Sequence, residues 1–431
     1  MRSRSSPRQG SVGAAFVAMA AVYFFSHFQR TAIPGTIFNE LQVDVGLAAA
    51  GVAALGSMFT WIYGGMQVFV GLTVDGWGGK RALLSGTLAM AAGSLLFPLA
   101  TSVPLLFAAR ALTGFGASFI YLSVIKEINL RFGAEHFTTT LGILLAVGYC
   151  GEMSATLPFE RAVSAIGWRS ALLAVAALTF VALAAAWWKF PRDREGMSVR
   201  NPLALRSLGK VFANRSCWPS FASSLISFPV YFVVLSMLGK KFLQDFAGVS
   251  SPASAASMLA MAAASALTAA SGGLLPRLMG GRRKPSILIG SVSLTAGVVL
   301  LLAGTIWHAP AWVFLAAYIM LAAAIGVAGP AGAGTMKDLN PPDSMAAGIS
   351  VTNALSYIGC GTVAQCCGLI LDRFRPVGTP RGSAFAFPQA AYIALFSFLL
   401  AIGIANFTFT LMIPETGTPA RRKPPIGRTD P

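Results

Sequence analysis

Long apolar segments recur along the whole chain, separated by short polar connections. A helix needs about 20 residues to cross a hydrocarbon layer about 30 Å thick, and each segment has roughly that length. The apolar residues are continuous rather than alternating, which predicts helices instead of the strands of a barrel. Twelve membrane-spanning helices are predicted, at about 12–34, 49–71, 82–102, 104–126, 138–160, 170–190, 217–239, 252–275, 285–307, 311–336, 346–371 and 387–413.

The composition agrees with this pattern. Of the 431 residues, 55% are hydrophobic and only 11% are charged, whereas soluble domains have about 25% charged residues. A soluble chain with this ratio would not have enough polar residues to cover its surface. The sequence therefore predicts an all-α polytopic membrane protein in contact with the lipid bilayer.

Two pairs of similar segments indicate an internal duplication. The glycine-bracketed basic loop Gly71–Arg81 is echoed by Gly273–Arg283, and Ile125–Asn129 is echoed by Met336–Asn340. Each pair falls at matching points of the two halves, as in transporters built from repeats. The predicted fold has twelve transmembrane helices in two pseudo-symmetric six-helix halves. Its parts are the N-terminal half 1–190, a cytoplasmic linker 191–215, the C-terminal half 216–413 and a basic tail 414–431.

The net charge of +17 is distributed unequally between the two sides of the predicted bundle. When the connections are assigned alternately to the two sides, 23 of the 32 lysine and arginine residues lie on one side and nine on the other. The positive-inside rule then predicts that both termini are cytoplasmic, in the cell (inner) membrane. The basic excess is explained by topology and lipid headgroups, so no nucleic-acid partner is expected.

Neither a metal nor a cofactor is expected. The five cysteines include no CxxC pair, and the three histidines lie in different segments. No phosphate-binding loop of the Gly-x-x-x-x-Gly-Lys-Ser/Thr type occurs, so transport would be driven by a gradient. A membrane-embedded enzyme would need clustered ligands or a nucleophile with its base, and the sequence has neither. We therefore expect a protein that is not an enzyme.

One face of the first predicted span carries polar residues. Tyr23, His27, Arg30 and Pro34 follow helical spacing and share this face. An arginine within a span costs about 2.5–3.5 kcal/mol unless it faces protein or water. A wet central cavity or an anionic substrate would offset that cost, so Tyr23, His27 and Arg30 are candidate substrate-binding residues. The alternative is that Arg30 only extends to the outer interface.

Arg110 and Glu152 are the candidate proton-coupling residues. Glu152 is the only acidic residue well inside a predicted span, and both residues lie in the outer halves of their helices. Burial raises the proton affinity of a carboxylate and nearby arginines lower it, so Glu152 could exchange a proton during transport. The alternative is a permanent Arg110–Glu152 ion pair that only neutralises two buried charges.

The C-terminal half has no comparable charge in mid-span, but it has polar stripes. Tyr231 ends a stripe of serines on the seventh span, and Asn353 and Tyr357 lie on one face of the eleventh. These three residues are candidate substrate contacts. The alternative is that they only pack helices together, as hydroxyl side chains often do in membranes.

Several motifs resemble those of the major facilitator superfamily. The loop after the second span resembles the superfamily's Gly-x-x-x-Asp-Arg-x-Gly-Arg-Lys, with Gly71, Asp75, Gly78 and Lys80 matching and glycines replacing its two arginines. The resemblance implies that these four residues form part of an inner gate; the alternative is a simple turn. The segments Arg110–Gly116 and Gly167–Arg169 also resemble superfamily motifs.

The first span resembles those of organic-anion and organophosphate transporters in the superfamily, which place a second cation on the seventh span. Here only Lys240 and Lys241, near the outer edge of that span, would match it. The expected function is secondary active transport of a small organic, anionic solute by alternating access, coupled to protons. The resemblance implies a monomer. The alternatives are a proton-driven exporter of hydrophobic compounds and a sensor or scaffold that does not transport.

Overall fold

The computed structural model describes residues 9–189, 204–341, 344–381 and 384–417, most of which are helical. The N-terminal half contains α1 (Gln9–Ala32), α2 (Phe38–Val45), α3 (Ala49–Trp77), α4 (Gly79–Leu99), α5 (Val103–Ser154), α6 (Leu157–Ile166) and α7 (Trp168–Lys189). Helix α2 lies where the sequence predicts only a connection. It is eight residues long and buries Phe38 and Leu41, which explains why this segment folds.

The C-terminal half has a similar series of helices and one small hairpin. Strands β1 (Val377–Arg381) and β2 (Ala384–Ala386) pair antiparallel in the connection before the last helix. The helices are α8 (Ala204–Ala213), α9 (Trp218–Ser224), α10 (Ser227–Val233), α11 (Gly239–Asp245), α12 (Ser251–Ser271), α13 (Leu274–Leu278), α14 (Lys284–Ile306), α15 (Ala311–Leu339), α16 (Met345–Leu371) and α17 (Gln389–Met412), with a 3₁₀ turn at Arg215–Cys217 and a π-helical stretch at Val234–Leu238.

The described helices account for the predicted spans. Ten helical segments are long and apolar enough to cross a membrane, or eleven if α2 and the start of α3, bent by 119°, count as one. Helix α1, with 24 residues, occupies the first predicted span but is not among these segments. The all-α polytopic fold in two six-helix halves is therefore confirmed.

Helix α5 contains both the fourth and the fifth predicted spans. If it were straight, its 52 residues would extend about 78 Å, far more than a bilayer is thick. Instead the chain reverses within it. The evidence is that Tyr121 and Gly148, 27 residues apart, both lie against Tyr23 of α1. The helix thus consists of two antiparallel arms, 103–132 and 139–154.

The seventh span, predicted at 217–239, differs most from expectation. It runs over Arg215–Asp245 and is segmented. Pro229 cannot donate to the carbonyl four residues earlier, which accounts for the break between α9 and α10. Because α11 continues past the predicted end, Lys240 and Lys241 are buried within a helix rather than placed at its edge.

The linker 191–215 is not wholly the plain tether that the sequence predicts. Residues 190–203 lie outside the described part of the chain, but the remainder forms α8. Leu208 and Val211 of α8 pack against Met336 and Val351, next to the ends of α15 and α16. That apolar contact explains why this part of the linker is helical.

The two ends of the bundle differ in how the halves meet. We call the end that carries the α3–α4 loop, the start of α1 and the end of α17 the terminal side, and the opposite end the distal side. The largest apolar core draws residues from both halves and reaches the distal connections. A second cluster consists mostly of N-terminal residues but includes Tyr357 of α16, whereas three smaller clusters nearer the terminal side each belong to one half only. The halves are therefore packed together on the distal side.

Helices α3 and α16 form the main seam between the halves. At the distal end, the Asp372 carboxylate accepts hydrogen bonds from the backbone N–H groups of Ala49 and Ala50, both at 2.9 Å. Further along the seam, the Ser57 hydroxyl donates to the Gly361 carbonyl at 2.7 Å. Asp372 thus caps the start of α3 from the other half and helps to close the distal side.

Candidate functional site

The centre of the bundle contains a compact cluster of ionisable side chains around Arg30. Its guanidinium forms an ion pair with Glu152 on the second arm of α5 and donates a hydrogen bond to the Tyr357 hydroxyl on α16. The side chains of Arg30 and Glu152 are only 11% and 5% exposed. Arg30 therefore does not extend to the outer interface; it joins the two halves at mid-depth.

His27 completes this cluster, and we call Arg30, His27, Glu152 and Tyr357 the central cluster. The His27 Nδ1 atom lies 3.0 Å from a Glu152 carboxylate oxygen and 3.1 Å from Nη2 of Arg30. One imidazole nitrogen can donate a proton or accept one, but it cannot do both at once. The two contacts therefore correspond to alternative forms of His27, in which Nδ1 either donates to Glu152 or accepts from Arg30.

Close packing between α1 and the second arm of α5 brings Glu152 to His27. A Cβ atom added at Gly148 would lie 2.6 Å from the Tyr23 ring, and one at Gly151 would overlap the carbonyl oxygen of Phe24. Only glycine permits such an approach. The pair of glycines just before Glu152 is a sequence signal that could have indicated this contact.

Arg110 does not take part in the central cluster, so its predicted pairing with Glu152 is wrong. Its guanidinium donates to the carbonyl oxygens of Gln29 at 3.2 Å, Ile33 at 2.9 Å and Leu55 at 3.3 Å. It also lies 4.8 Å from the centre of the Phe59 ring. Arg110 is 1% exposed and links α5 to α3 and to the end of α1. Backbone carbonyls carry no sequence signal, which is why this role was not predicted.

Lys240 and Lys241, the candidates for a second cation, are engaged in contacts on the distal side. Lys240 pairs with Glu160 of α6 and donates to the Thr36 carbonyl at 2.6 Å. The Lys241 amine lies 3.1 Å from a carboxylate oxygen of Asp245. Neither lysine contacts the central cluster. Sequence reasoning missed Glu160 because it falls at the very end of a predicted span.

Several of these distal contacts cross between the halves. Lys241 donates to the Asn39 side chain at 2.9 Å, and Asn39 donates to Gln244 at 2.9 Å. The Ser251 hydroxyl of α12 donates to Glu160. Together with the Lys240–Glu160 pair, these bonds form what we call the distal gate, which joins the two halves beyond the central cluster.

A comparison of the sequence with protein families agrees with this arrangement of two packed halves around a central ion pair. A model of the Major Facilitator Superfamily matches residues 19–364. The chain belongs to this superfamily. It is accordingly a multi-pass membrane transporter.

A curated protein matches part of this chain. The cephamycin export protein CmcT of Amycolatopsis lactamdurans is 29% identical over 160 residues, which cover 37% of this chain and 33% of that protein. The chain therefore matches about a third of the length of this relative.

Solved structures of superfamily transporters share the fold over nearly the whole chain. A bacterial homologue of the human lysosomal transporter Spinster, in an inward-facing and unoccupied conformation, has a TM-score of 0.75 at 17% identity and covers 94% of this chain and 98% of its own. The peptide transporter POT has a TM-score of 0.74 at 14% identity, covering 96% of each chain. The nucleoside transporter NupG has a TM-score of 0.73 at 15% identity, and the match covers 93% of this chain and 100% of its own. At these identities the likeness concerns the fold alone.

The superfamily loop after the second span lies on the terminal side. Gly71 is in α3 with open space at its Cα, and Gly78 ends that helix with a φ of +87°, a conformation that favours glycine. Lys80 is half-buried at the start of α4. The side chain of Asp75 lies outside the described part of the structure.

In each half, the loop lies against a carboxylate from the echoed segment. Gly79 is packed on Glu127, so closely that an added Cβ atom would lie 2.6 Å from its carboxylate oxygen. In the second half, Arg283 forms an ion pair with Asp338 at 3.3 Å. The two weak sequence echoes are thus equivalent in three dimensions, as an internal duplication requires.

The remaining predicted residues surround the central cluster. The Tyr23 ring lies 4.4 Å from the His27 ring, between centroids. The Tyr231 hydroxyl donates to Ser265 at 2.9 Å, so it is partly committed to helix packing. Asn353 is half-buried on α16, one turn from Tyr357 towards the terminal side. Sequence reasoning missed Tyr63, whose ring lies 4.2 Å from that of Tyr357 across the seam.

Proposed function

We propose that this transporter moves a small organic anion by alternating access and couples its movement to protons. The single observation that carries the proposal is that Arg30 is held by Glu152, His27 and Tyr357 at the junction of the two halves. Arg30 is the cation that an anionic solute would meet there. In the structure, the Glu152 carboxylate pairs with Arg30 and would compete with the solute for it.

Proton coupling follows from that competition. When Glu152 gains a proton, its ion pair with Arg30 loses the Coulomb attraction that maintains it. The guanidinium can then bind a carboxylate or phosphate oxygen of the solute. When the solute leaves, Glu152 can lose its proton and pair with Arg30 again. His27 contacts both partners and would relay the proton between them.

The other predicted residues have supporting roles in this proposal. Tyr23, Tyr231, Asn353 and Tyr357 would contact the solute around Arg30. The terminal loop with Gly71, Asp75, Gly78 and Lys80 would act as the inner gate. The role in proton coupling passes from Arg110 to His27, because Arg110 contacts backbone carbonyls instead of Glu152.

The distribution of charge supports an orientation. The positive-inside rule places the terminal side, with its excess of arginine and lysine, in the cytoplasm of a cell with the chain in its inner membrane. With this orientation, the distal contacts would close the site to the outside, and the solute would exchange with the cytoplasm. We propose that the transporter works as a monomer.

Uptake into proteoliposomes tests this function. The purified protein is reconstituted, and a panel of labelled organic acids is screened with and without an imposed pH gradient, against protein-free liposomes. We expect the gradient to accelerate uptake of at least one acid by the wild type. Glu152→Gln, which cannot exchange a proton, should lose this acceleration while still exchanging labelled for unlabelled solute.

Glu415→Gln is the matched control, because Glu415 is on the terminal side and pairs with Arg282 instead of the central cluster. It should respond to the gradient like the wild type. Equal responses of the wild type and Glu152→Gln would refute proton coupling through Glu152. An absence of anion transport in any condition would refute the proposed function as a whole.

The relative described as an export protein favours a second candidate, a proton-driven exporter. In that case the central cluster would couple protons without binding an anion, and the solute would be hydrophobic. Arg30→Ala separates the two proposals. This variant should abolish anion uptake if Arg30 binds the solute. An exporter would instead raise the tolerance of cells to toxic hydrophobic compounds, and Glu152→Gln would lose that tolerance.

A further inference from the structure

Aromatic side chains surround the central cluster from both halves. Tyrosine is scarce in this chain, yet six of its eight copies lie around Arg30. Five are within electrostatic range of the guanidinium and the sixth stacks on one of them. The six are Tyr23, Tyr63, Tyr121, Tyr149, Tyr231 and Tyr357.

The rings next to Arg30 form a continuous aromatic wall, which we define as Tyr63, Phe228, Phe232 and Tyr357. Tyr63 and Tyr357 have centroids 4.2 Å apart, and Phe228 lies 5.8 Å from Tyr357 and from Phe232. The guanidinium carbon of Arg30 is 5.7 Å from the Tyr357 ring and 6.0 Å from the Phe232 ring. A planar ring inserted here would meet ring faces and edges from α3, α10 and α16.

The central cluster holds one permanent positive charge, that of Arg30. Arg110 is used by three backbone carbonyls, and Lys240 and Lys241 are paired with carboxylates on the distal side. In the described part of the chain, this leaves Arg30 as the cation next to the aromatic wall. A solute with two charges would leave one of them unpaired in a buried site, which is strongly unfavourable.

Arg30 also has hydrogen-bonding capacity in reserve. Its Nε atom is buried and makes no hydrogen bond within the described part of the structure. A buried donor without an acceptor is rare in folded proteins. A carboxylate presents two acceptor oxygens and suits the fork of a guanidinium, so it could take up this donor when Glu152 withdraws.

We infer that the solute is an aromatic monocarboxylate, with its carboxylate on Arg30 and its ring against the aromatic wall. This inference rests on the proposed function and specifies its substrate class. The aromatic wall favours a planar ring over a sugar or an aliphatic chain. The single cation selects against phosphate monoesters and dicarboxylates.

Equilibrium binding to the purified full-length protein tests the inference, and calorimetry avoids the passive diffusion of weak acids through lipid. Four probes differ in one property each: benzoate, its saturated analogue cyclohexanecarboxylate, its uncharged analogue benzamide and the dianion phenyl phosphate. We expect benzoate to bind about five- to tenfold more tightly than cyclohexanecarboxylate, from contacts between rings. Benzamide and phenyl phosphate should bind more weakly than benzoate.

A pair of variants locates the preference. Phe228→Leu keeps an apolar side chain but removes a ring from the aromatic wall, so the preference for benzoate over cyclohexanecarboxylate should fall to near unity. Phe115→Leu is the matched control, since Phe115 is exposed on the first arm of α5 and should leave the preference unchanged. The comparison of probes on the wild type remains decisive even if Phe228→Leu fails to fold.

The outcomes separate this inference from the proposed function. Equal binding of benzoate and cyclohexanecarboxylate, or tighter binding of phenyl phosphate, would overturn the aromatic monocarboxylate while leaving anion transport intact. Tighter binding of benzamide would favour the exporter of hydrophobic compounds and overturn both. An absence of binding by every anion, together with an absence of anion uptake in proteoliposomes, would also overturn both.

Discussion

Arg110 and Arg30 are both buried arginines, but their partners differ in kind. The three carbonyl acceptors of Arg110 lie in α3, in α1 and just after α1, so its guanidinium holds the backbone of these segments to α5. The partners of Arg30 are side chains, two of which can change their protonation state. Backbone carbonyls cannot titrate, whereas Glu152 and His27 can. The first arginine is therefore structural, and the second is suited to a cycle.

Replacing each arginine by lysine should separate these roles. Arg110→Lys keeps the charge but cannot reach three carbonyls, and we expect it to lower the free energy of unfolding by roughly 2–4 kcal/mol. Its anion affinity should stay close to that of the wild type. Arg30→Lys should unfold at nearly the same temperature as the wild type but bind anions more weakly. Thermal unfolding in detergent and calorimetric titration measure the two effects. These separate roles would be contradicted if Arg110→Lys were as stable as the wild type but its anion binding no longer responded to pH.

The pH dependence of anion binding is a second prediction at the residue scale. Protonation of Glu152 removes the internal competitor for Arg30, so anion affinity should rise as the pH falls. The limiting slope is about tenfold per pH unit for one linked proton. Glu152→Gln mimics the protonated form and should bind tightly with no pH dependence. Binding titrations across mildly acidic and neutral pH measure this.

His27→Gln then shows which group holds the proton. A pH-dependent affinity that survives this change assigns the linked proton to Glu152, as we expect. A flat profile in His27→Gln would assign it to the imidazole instead. Glu415→Gln should retain the profile of the wild type, because Glu415 contacts the basic loop before α14 rather than the central cluster.

At the scale of elements, the seam between α3 and α16 should control the closure of the distal side. A Cβ atom added at Gly368 would lie 2.8 Å from Cα of Ala50 and 2.7 Å from Cβ of Ala53, and the backbone atom cannot move aside easily. Gly368→Ala should therefore push the helices apart and shift the population towards a state open on the distal side. Gly65→Ala, on α3 but away from the seam with open space at its Cα, is the control.

The shift can be measured by labelling a cysteine placed at Asn39 in the distal gate. A membrane-impermeant thiol reagent should modify Asn39→Cys several-fold faster when Gly368→Ala is also present. Gly65→Ala should leave the labelling rate unchanged. Equal rates in all three backgrounds would mean that the seam does not limit opening of the distal side.

The sequence predicts spans well and partners poorly, for a physical reason. Apolar length identifies a crossing, and helical spacing correctly places Tyr23, His27 and Arg30 on one face of α1. The partner of Glu152 depends on the rotation of α5 about its axis and on how closely α1 approaches. That rotation is set by packing at Gly148 and Gly151, which hydropathy does not encode.

Short helices are missed for a similar reason. Helix α2 and helix α8 are short and amphipathic, with apolar residues that pack only once other helices are assembled. A search for long apolar segments passes over both. The same search ends the seventh span at the first lysine, although Lys240 and Lys241 are buried because carboxylates from α6 and α11 neutralise them.

At the scale of the whole molecule, the cross-half contacts are graded along the bundle axis. The distal gate and the Asp372 cap join the halves at one end, and the central cluster joins them at mid-depth. On the terminal side, the apolar clusters and the Arg283–Asp338 pair lie within single halves. Opening of the distal side must therefore break several charged and polar contacts, which new contacts on the terminal side would have to offset.

This grading predicts that locking the distal gate stops transport. Asn39 and Gln244 belong to different halves and their side chains are hydrogen-bonded at 2.9 Å. In a background without native cysteines, Asn39→Cys and Gln244→Cys should react together with a short bifunctional thiol reagent. The cross-link should abolish uptake, because the site could no longer open to the distal side, and cleavage of the linker should restore it.

Two controls make the test specific. Each single cysteine variant, treated with the same reagent, should retain uptake, which excludes simple modification as the cause. Binding of the anion to the cross-linked protein in detergent should persist, since the cross-link does not restrain the terminal side. If the cross-linked protein still accumulated solute, the distal gate would not separate the site from that side, and alternating access through this seam would be wrong.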